Sequence, residues 1–327
     1  MSISYRLFQW ADFPALAAMW NLAEMADGEQ NIITVEEMER HWQADGTNPE
    51  MNAFVALSEG TPIAYARNRP ITDLVLHRAR GTGRVHPDFR RQGIGARLVE
   101  LADAQFVEHA RALVDTAKPL SVQRIASHSN PGDVALMGAT GYTHLRSFFE
   151  MKKDLTAPDA LSISAWPPGI ELRPFNRERD AFIIYEAQKE AFRDHFNSFG
   201  DESFESWRKD MIDFSRFDPS LWLLAWEGDQ LAGAALNDIP SRYQFQAGYV
   251  DSLFVRRPWR KHGLATTLLR ESFALFAGRG LKNAALGVDA QNRSGALKIY
   301  EGVDLQITRE NMLFIRYLRG SAEDDAF

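Results

Sequence analysis

A chain of 327 residues exceeds the usual size of one compact core, and with 45% apolar and 25% charged residues it has the composition of two soluble globular domains. A formal net charge of −7 supplies no general basic field, so neither nucleic acid nor anionic lipid is expected as a partner. The absence of cysteine excludes a disulfide framework, thiolate metal ligands and a cysteine nucleophile, and no metal is expected.

The opening MSISYRLFQWADF has no basic segment followed by an apolar one, and no apolar run reaches the roughly 18 residues of a membrane span. A cytoplasmic protein with no membrane partner is expected. SYRLFQWADFPAL predicts a short strand and the start of a helical region. Residues 52–57 and 62–66 predict a hairpin around Ser58-Glu59-Gly60-Thr61. A further strand runs through Val85 to Pro87, and Arg90-Arg91-Gln92-Gly93-Ile94-Gly95 then opens a helix with Ile94, Leu98 and Leu101 on one face. Strand, helix and strand complete this half. In DLTAPDALSISAWPPG, Pro158, Pro167, Pro168 and Gly169 break regular structure and predict a linker.

The same order then repeats. ELRPFNRERDAFI resembles the opening, with Arg173 in the place of Arg6, and residues 221–226 and 231–236 flank the turn Glu227-Gly228-Asp229-Gln230. Arg260-Lys261-His262-Gly263-Leu264-Ala265 repeats the helix-opening loop, and Asn292 takes the place of Asn130. Ala265, Leu269, Ser272, Phe273 and Phe276 form one broad helical face, stopped at Gly278 and Gly280. The expected division is an N-terminal domain over 1–155, a linker over 156–169, a C-terminal domain over 170–320 and a tail over 321–327.

The repeated loop is the most specific signal. Small residues after the arginine let a bulky anion touch the backbone, and the helix start adds free N–H groups and about half a positive charge, which suits a pyrophosphate. A Rossmann fingerprint would need glycine where Leu98 stands, and a P-loop would need Gly-Lys-Ser/Thr, present in neither copy.

These residues resemble the GNAT superfamily of N-acetyltransferases, whose signature is Gln/Arg-x-x-Gly-x-Gly/Ala after a strand ending in Val-x-Pro. Val85-His86-Pro87 matches that ending; Val255-Arg256-Arg257-Pro258 matches if Arg257 takes the place of the proline. The family's second element, Asn, Ala and Tyr after a strand, reads here as Asn292, Ala296 and Tyr300. The resemblance covers nearly the whole chain, and among tandem members it is similar to the mycothiol synthase architecture, whose C-terminal copy is active. It implies an α/β (α+β) fold: two tandem domains, each a mixed, mostly antiparallel central sheet flanked by helices.

The resemblance further implies an acetyl-coenzyme A-dependent N-acetyltransferase acting on a primary amine by direct attack in a ternary complex. The cosubstrate would be held by Leu253, Phe254, Val255, Arg260, Lys261, His262, Gly263, Leu264, Ala265 and Asn292. In the first copy the matching set is Val85, Arg90, Arg91, Gln92, Gly93, Ile94 and Gly95. Tyr300 would protonate the departing thiolate. Strand alternation places Tyr249, Asp251 and Leu253 on one face, which makes Asp251 the candidate base.

Departures accompany the matches. Tyr249 stands where the mycothiol synthase pattern has Glu, which argues against that specificity. Asp304-Leu305 replaces the usual Gly-Phe and predicts a shifted last turn. Gly141-Tyr142 keeps that ending in the first copy, but Met137 occupies the tyrosine position and cannot donate a proton. The first domain is therefore expected to bind coenzyme A or to be degenerate. An acceptor pocket is expected from 190–207, with Arg193, Asp194 and a structural His195. A small-molecule amine is the expected acceptor; a protein or peptide N-acetyltransferase and a non-catalytic acyl-coenzyme A sensor are the alternatives.

Overall fold

The computed structural model describes residues 2–28, 32–44, 48–70, 77–113, 118–157, 165–193, 203–213, 217–239, 247–292 and 295–321. Residues 158–164 of the expected linker, Asp194 and His195, and most of the tail lie outside them. Two compact units emerge, one made of residues 1–148 with 309–326 and the other of 149–308.

The first unit runs β1 (Ile3–Leu7), α1 (Phe13–Ala26), α2 (Val35–Ala44), α3 (Pro49–Asn52), β2 (Ala53–Ser58), β3 (Thr61–Pro70), β4 (Arg78–Val85), α4 (Ile94–Leu113), β5 (Leu120–Ser127) and α5 (Pro131–Ala139). β6 (Thr143–Asp154) follows, its second half belonging to the other unit. The second unit continues with β7 (Ile170–Arg173), α6 (Arg177–Ala191), α7 (Phe204–Met211), β8 (Leu223–Glu227), β9 (Gln230–Asp238), β10 (Ala247–Val255), α8 (Leu264–Gly278), β11 (Asn283–Asp289), α9 (Ala296–Glu301) and β12 (Gln306–Arg319).

Both expected hairpins form: β2 pairs with β3 and β8 with β9, each antiparallel. Division at residue 155 would leave all of β12 in the second half. Instead its residues 311–319 pair antiparallel with β5 and complete the first unit, covering an edge that would otherwise expose its N–H and C=O groups. No helix among the described residues is long and apolar enough to cross a membrane.

The feature that positions a site occurs once in each unit. β4 and β5 pair parallel from Arg78↔Ser121 only as far as Gly81↔Arg124, while β4 continues along β3 to Val85. β10 and β11 likewise pair from Ala247↔Asn283 to Val250↔Leu286, and β10 runs on beside β9 to Val255. The recorded parallel ladder stops there, and a wedge opens between the two strands.

In the second unit the wedge rests on α8. Leu264, Leu268, Leu269, Phe273 and Phe276 are buried there with Val250 and Leu286, each contributing about 1.5–3 kcal/mol by leaving water. The helix stops as its glycines predict: Gly280 has φ 78° and the Leu281 N–H closes onto the Phe276 carbonyl at 3.1 Å. The opposite face of the sheet is covered by α6 and α7, with Ile184, Trp207 and Phe254 in a second cluster.

Candidate active site

Each wedge leads from the repeated loop. Lys261 (φ 66°) and Gly263 (φ 81°) take left-handed conformations, as do Arg91 (φ 64°) and Gly93 (φ 79°). The two loops correspond residue for residue in their spacing: Arg257 starts its short 3₁₀ turn as Pro87 does, so the extra proline at 258 does not lengthen the loop. Gly263 caps α8 without a side-chain bond, and a Cβ there would meet nothing within 4 Å. The first N–H groups of the helix are thus available to a ligand.

Not every basic residue of the motif faces outward. Arg260 donates to the carbonyls of Val255 (2.9 Å) and Ala191 (3.1 Å), and Arg90 donates to Val85 O and pairs with Asp27 at 2.7 Å. These arginines fasten the loop to its strand and to the C-terminal end of α6 or α1, where positive charge is favoured. Arg91 and Lys261 remain at the mouth. His262 and Gln92 are exposed and do not line the cavities, and Ile94 is buried in the core beneath its own loop.

A cavity of 780 Å³ begins at the Gly263 loop and passes along β10 into the wedge. Leu253, Phe254, Val255, Lys261, Leu264, Ala265 and Asn292 line it, as do Asp251 and Tyr300. Asp251 is presented by a device invisible to the pattern of alternation. The β9–β10 register shifts between Val250 and Ser252, so Asp251 is the extra residue of a β-bulge. Val250 and Leu253 pack toward α8, whereas Ser252 and Phe254 face α6. The expectation that Tyr249, Asp251 and Leu253 share one face therefore fails at Leu253.

Ser252 is fixed from behind. Its hydroxyl accepts from the Gln188 side chain at 2.8 Å, and Gln188 in turn accepts from the Trp207 indole at 2.8 Å. This buried chain locks β10 to α6 and α7 beside the bulge. Gln188, Phe192 and Met211 join the cavity lining from that side; of the three, only Phe192 lies within the segment 190–207 expected to hold the acceptor.

Tyr300 sits on α9, 8% exposed, its phenol pushed up to about 12 by burial. The turn after it is not shifted: Asp304 takes φ 63° and the Leu305 N–H bonds the Tyr300 carbonyl at 3.1 Å, just as Gly141 (φ 77°) and the Tyr142 N–H do around Met137 at 2.9 Å. A non-glycine residue in this conformation costs about 1–2 kcal/mol; the exposed carboxylate of Asp304 pairs with the buried Lys153 at 3.2 Å.

The first unit carries a similar 540 Å³ cavity lined by Val85, Arg90, Arg91, Gly93 and Gly95, with Met137 where Tyr300 stands. Here β4 pairs with β3 without a bulge. Behind the wedge, Gly81, Asp103, Arg124 and Tyr142 occupy the places of Val250, Phe273, Leu286 and Leu305. They form a buried network: Arg124 donates to Tyr142 Oη (2.9 Å) and Asn68 (2.7 Å), and Tyr142 and Asn68 donate to Asp103 at 2.9 and 2.8 Å. Gly81 is required because a Cβ there would lie 2.5 Å from the Arg124 guanidinium carbon.

Comparison with known proteins agrees with this duplication. The acetyltransferase (GNAT) family model matches twice, over residues 16–126 and 182–302. Mycothiol acetyltransferases of Geodermatophilus obscurus and Catenulispora acidiphila are 26% and 29% identical, each alignment covering 89% of this chain and 90% of the relative. Among solved structures, a GCN5-related N-acetyltransferase from Sphaerobacter thermophilus is 30% identical with a TM-score of 0.80, covering 98% of this chain and 96% of that one. A tandem GNAT protein from the clavulanic acid biosynthesis pathway shares the fold at 14% identity and a TM-score of 0.72, covering 98% and 100%. The twofold family match, the paired loops and the paired wedges show that the chain belongs to the GNAT family, as a tandem acetyl-coenzyme A-dependent acyltransferase.

Proposed function

We propose that the second unit transfers an acetyl group from acetyl-coenzyme A to a primary amine of a small molecule by direct attack. The observation that carries this reading is that Asp251 and Tyr300 line one cavity with the anion-ready start of α8. The mycothiol acetyltransferase relatives support a small-molecule acceptor.

The loop N–H groups and Lys261 hold the pyrophosphate, and the β10 edge, freed from β11, guides the thioester arm into the wedge. An alkylammonium is deprotonated in only about one part in a thousand at neutral pH, a cost of about 4 kcal/mol. Asp251, displaced into the cavity mouth by its bulge, accepts that proton directly or through water. The amine nitrogen then bonds to the thioester carbon, gives up its second proton to solvent, and the C–S bond breaks to release the thiolate. A backbone N–H of the β10 edge faces the carbonyl oxygen.

Tyr300 acts on the leaving sulfur. A phenol near 12 does not surrender its proton completely to a thiolate whose ordinary value is about 8.5. It donates a strong hydrogen bond to the thiolate, and solvent completes the proton transfer after release. The test is thiol release from acetyl-coenzyme A across a panel of small amines and short peptides. Turnover with small amines, lowered by Asp251→Asn and Tyr300→Phe, is expected. Turnover indifferent to both substitutions refutes the assignment, and turnover with peptides alone refutes the acceptor class.

A further inference from the structure

The first unit's cavity is the more basic of the two. Arg80, Arg84, Arg90, Arg91 and Arg124 line it against Asp27 and Asp133, whereas Arg260 and Lys261 face Asp251 and Asp289 in the second. Three of these arginines are committed. Arg84 pairs with the buried Glu24 at 2.8 Å and lies 4.6 Å over Trp20; Arg90 pairs with Asp27, and Arg124 with Asp103.

Arg80 is different. Among the described residues it has no hydrogen-bond or ion-pair partner, and its Nε is buried without an acceptor. Burial, and then the like charge of Arg69, hold its guanidinium below the usual arginine value. Leaving such a group unpaired destabilises the fold. Its location supplies a reason. Arg80 pairs with Gln123 one residue beyond Gly81, the point where β4 and β5 part. An extended arm that starts at the Gly93 loop and follows the β4 edge through Val85 toward Gly81 ends at Arg80.

We propose that the first unit binds a coenzyme A thioester together with a carboxylate that meets Arg80, carried either at the far end of the acyl group or on a separate small acid. A guanidinium matches a carboxylate in two parallel hydrogen bonds and discriminates strongly against a methyl group in the same place. Met137 removes the tyrosine from this cavity, so the site holds the thioester without the second unit's acid. The inference rests on reading the Gly93 loop as a coenzyme A site.

The experiment is calorimetric titration of the full-length protein with acetyl-coenzyme A, with succinyl-coenzyme A, and with acetyl-coenzyme A in excess succinate, for wild type, Arg80→Met and Arg80→Lys. One site is expected to bind at least tenfold more tightly when a carboxylate is supplied. Preference for succinyl-coenzyme A places the carboxylate on the acyl chain, and synergy with free succinate places it on a separate acid. Arg80→Met should erase the preference without weakening acetyl-coenzyme A, and Arg80→Lys should retain part of it. With no ligand added, Arg80→Met should leave the melting temperature unchanged or raised, since a half-buried side chain with an unpartnered Nε is removed. A preference that survives Arg80→Met, equal binding in all three titrations, or a lowered melting temperature overturns the proposal. Thioester binding at the second unit alone overturns the coenzyme A reading of the Gly93 loop, and the proposal with it.

Discussion

Asp103 offers the sharpest test of what holds the first unit together. It accepts hydrogen bonds from Asn68 and Tyr142 and faces Arg124 at 3.4 Å and Arg316 at 3.0 Å, while 3% exposed. Asp103→Leu keeps the branched skeleton and strands the Arg124 guanidinium, 4% exposed, without its carboxylate. Breaking a buried pair from one side costs about 3–5 kcal/mol. For a unit of this size that lowers the melting temperature by roughly 6–20 °C, at about 2–4 °C per kcal/mol. Arg124→Leu is milder, because Asp103 keeps Tyr142, Asn68 and the half-exposed Arg316. Urea denaturation of both single variants and the double variant should therefore give a coupling of about 2 kcal/mol or more, with the double variant recovering much of the loss. Adding Gly81→Val and Tyr142→Leu, which copies Val250 and Leu305 of the second unit, should recover more. Single effects that add to within about 0.5 kcal/mol would show that the four residues do not act as a network.

Three further outcomes follow from the second unit. Tyr300→Phe removes a hydrogen bond to a developing thiolate, about 1.5–3 kcal/mol, so kcat should fall roughly 10- to 150-fold with little change in KM for acetyl-coenzyme A; a KM effect alone would make Tyr300 a packing residue. Gly263→Val puts a β-branched residue at φ 81° and its side chain into the loop mouth, so acetyl-coenzyme A affinity measured by calorimetry should fall at least tenfold and turnover with it. Tyr65 and Tyr300 are both pushed up from 10.0 to about 12 by burial, so the folded state keeps protons that the unfolded chain loses above pH 10. Their contribution is intact below pH 10 and declines by about 1.4 kcal/mol per pH unit for each tyrosine up to pH 12. Burial pushes Tyr142 up as well, so urea titrations at stepped alkaline pH should show the slope reduced by about a third in Tyr300→Phe.

The loops were readable in the sequence because their chemistry is local. A left-handed position at Gly93 or Gly263, a basic neighbour and a following apolar period lie within a few consecutive residues, and their repetition removed the ambiguity of one copy. Asn292, Ala296 and Tyr300 were legible for the same reason. What escaped depends on pairing between strands. The bulge at Asp251 exists only relative to β9, so alternation read along β10 alone misplaced Leu253. Gln188 and Trp207 announce nothing by spacing, since their partner Ser252 arrives from a distant strand. Asp304 misled in the opposite direction: the turn was expected to shift for want of glycine, yet its carboxylate has a buried lysine to meet. The family resemblance points the motif arginines at the ligand; Arg90 and Arg260 line the cavities but also satisfy backbone carbonyls that the sequence does not point to.

The two units differ in a way that bears on whether the first is a decayed copy of the second. Loss of a catalytic role by drift would leave the polar residues that stand in the places of Phe273, Leu286 and Leu305 without partners, because intermediate steps of a buried polar substitution are each costly. Behind the first wedge, Arg124, Asp103, Tyr142 and Asn68 instead bond one another, and Gly81 lacks the Cβ that would collide with them. That arrangement requires several matched changes and holds β4 in straight register with β3 where the second unit has its bulge. The bulge and the counterpart of Tyr300 are absent together, while the Gly93 loop keeps φ values nearly equal to those of the Gly263 loop. Of the buried side-chain atoms without a hydrogen-bond partner among the described residues, Arg80 Nε is the one whose residue lines this cavity. If the first unit binds as proposed, keeping the loop, replacing the Tyr300 position by Met137 and setting Arg80 along the cavity are better explained by selection for binding than by the absence of selection.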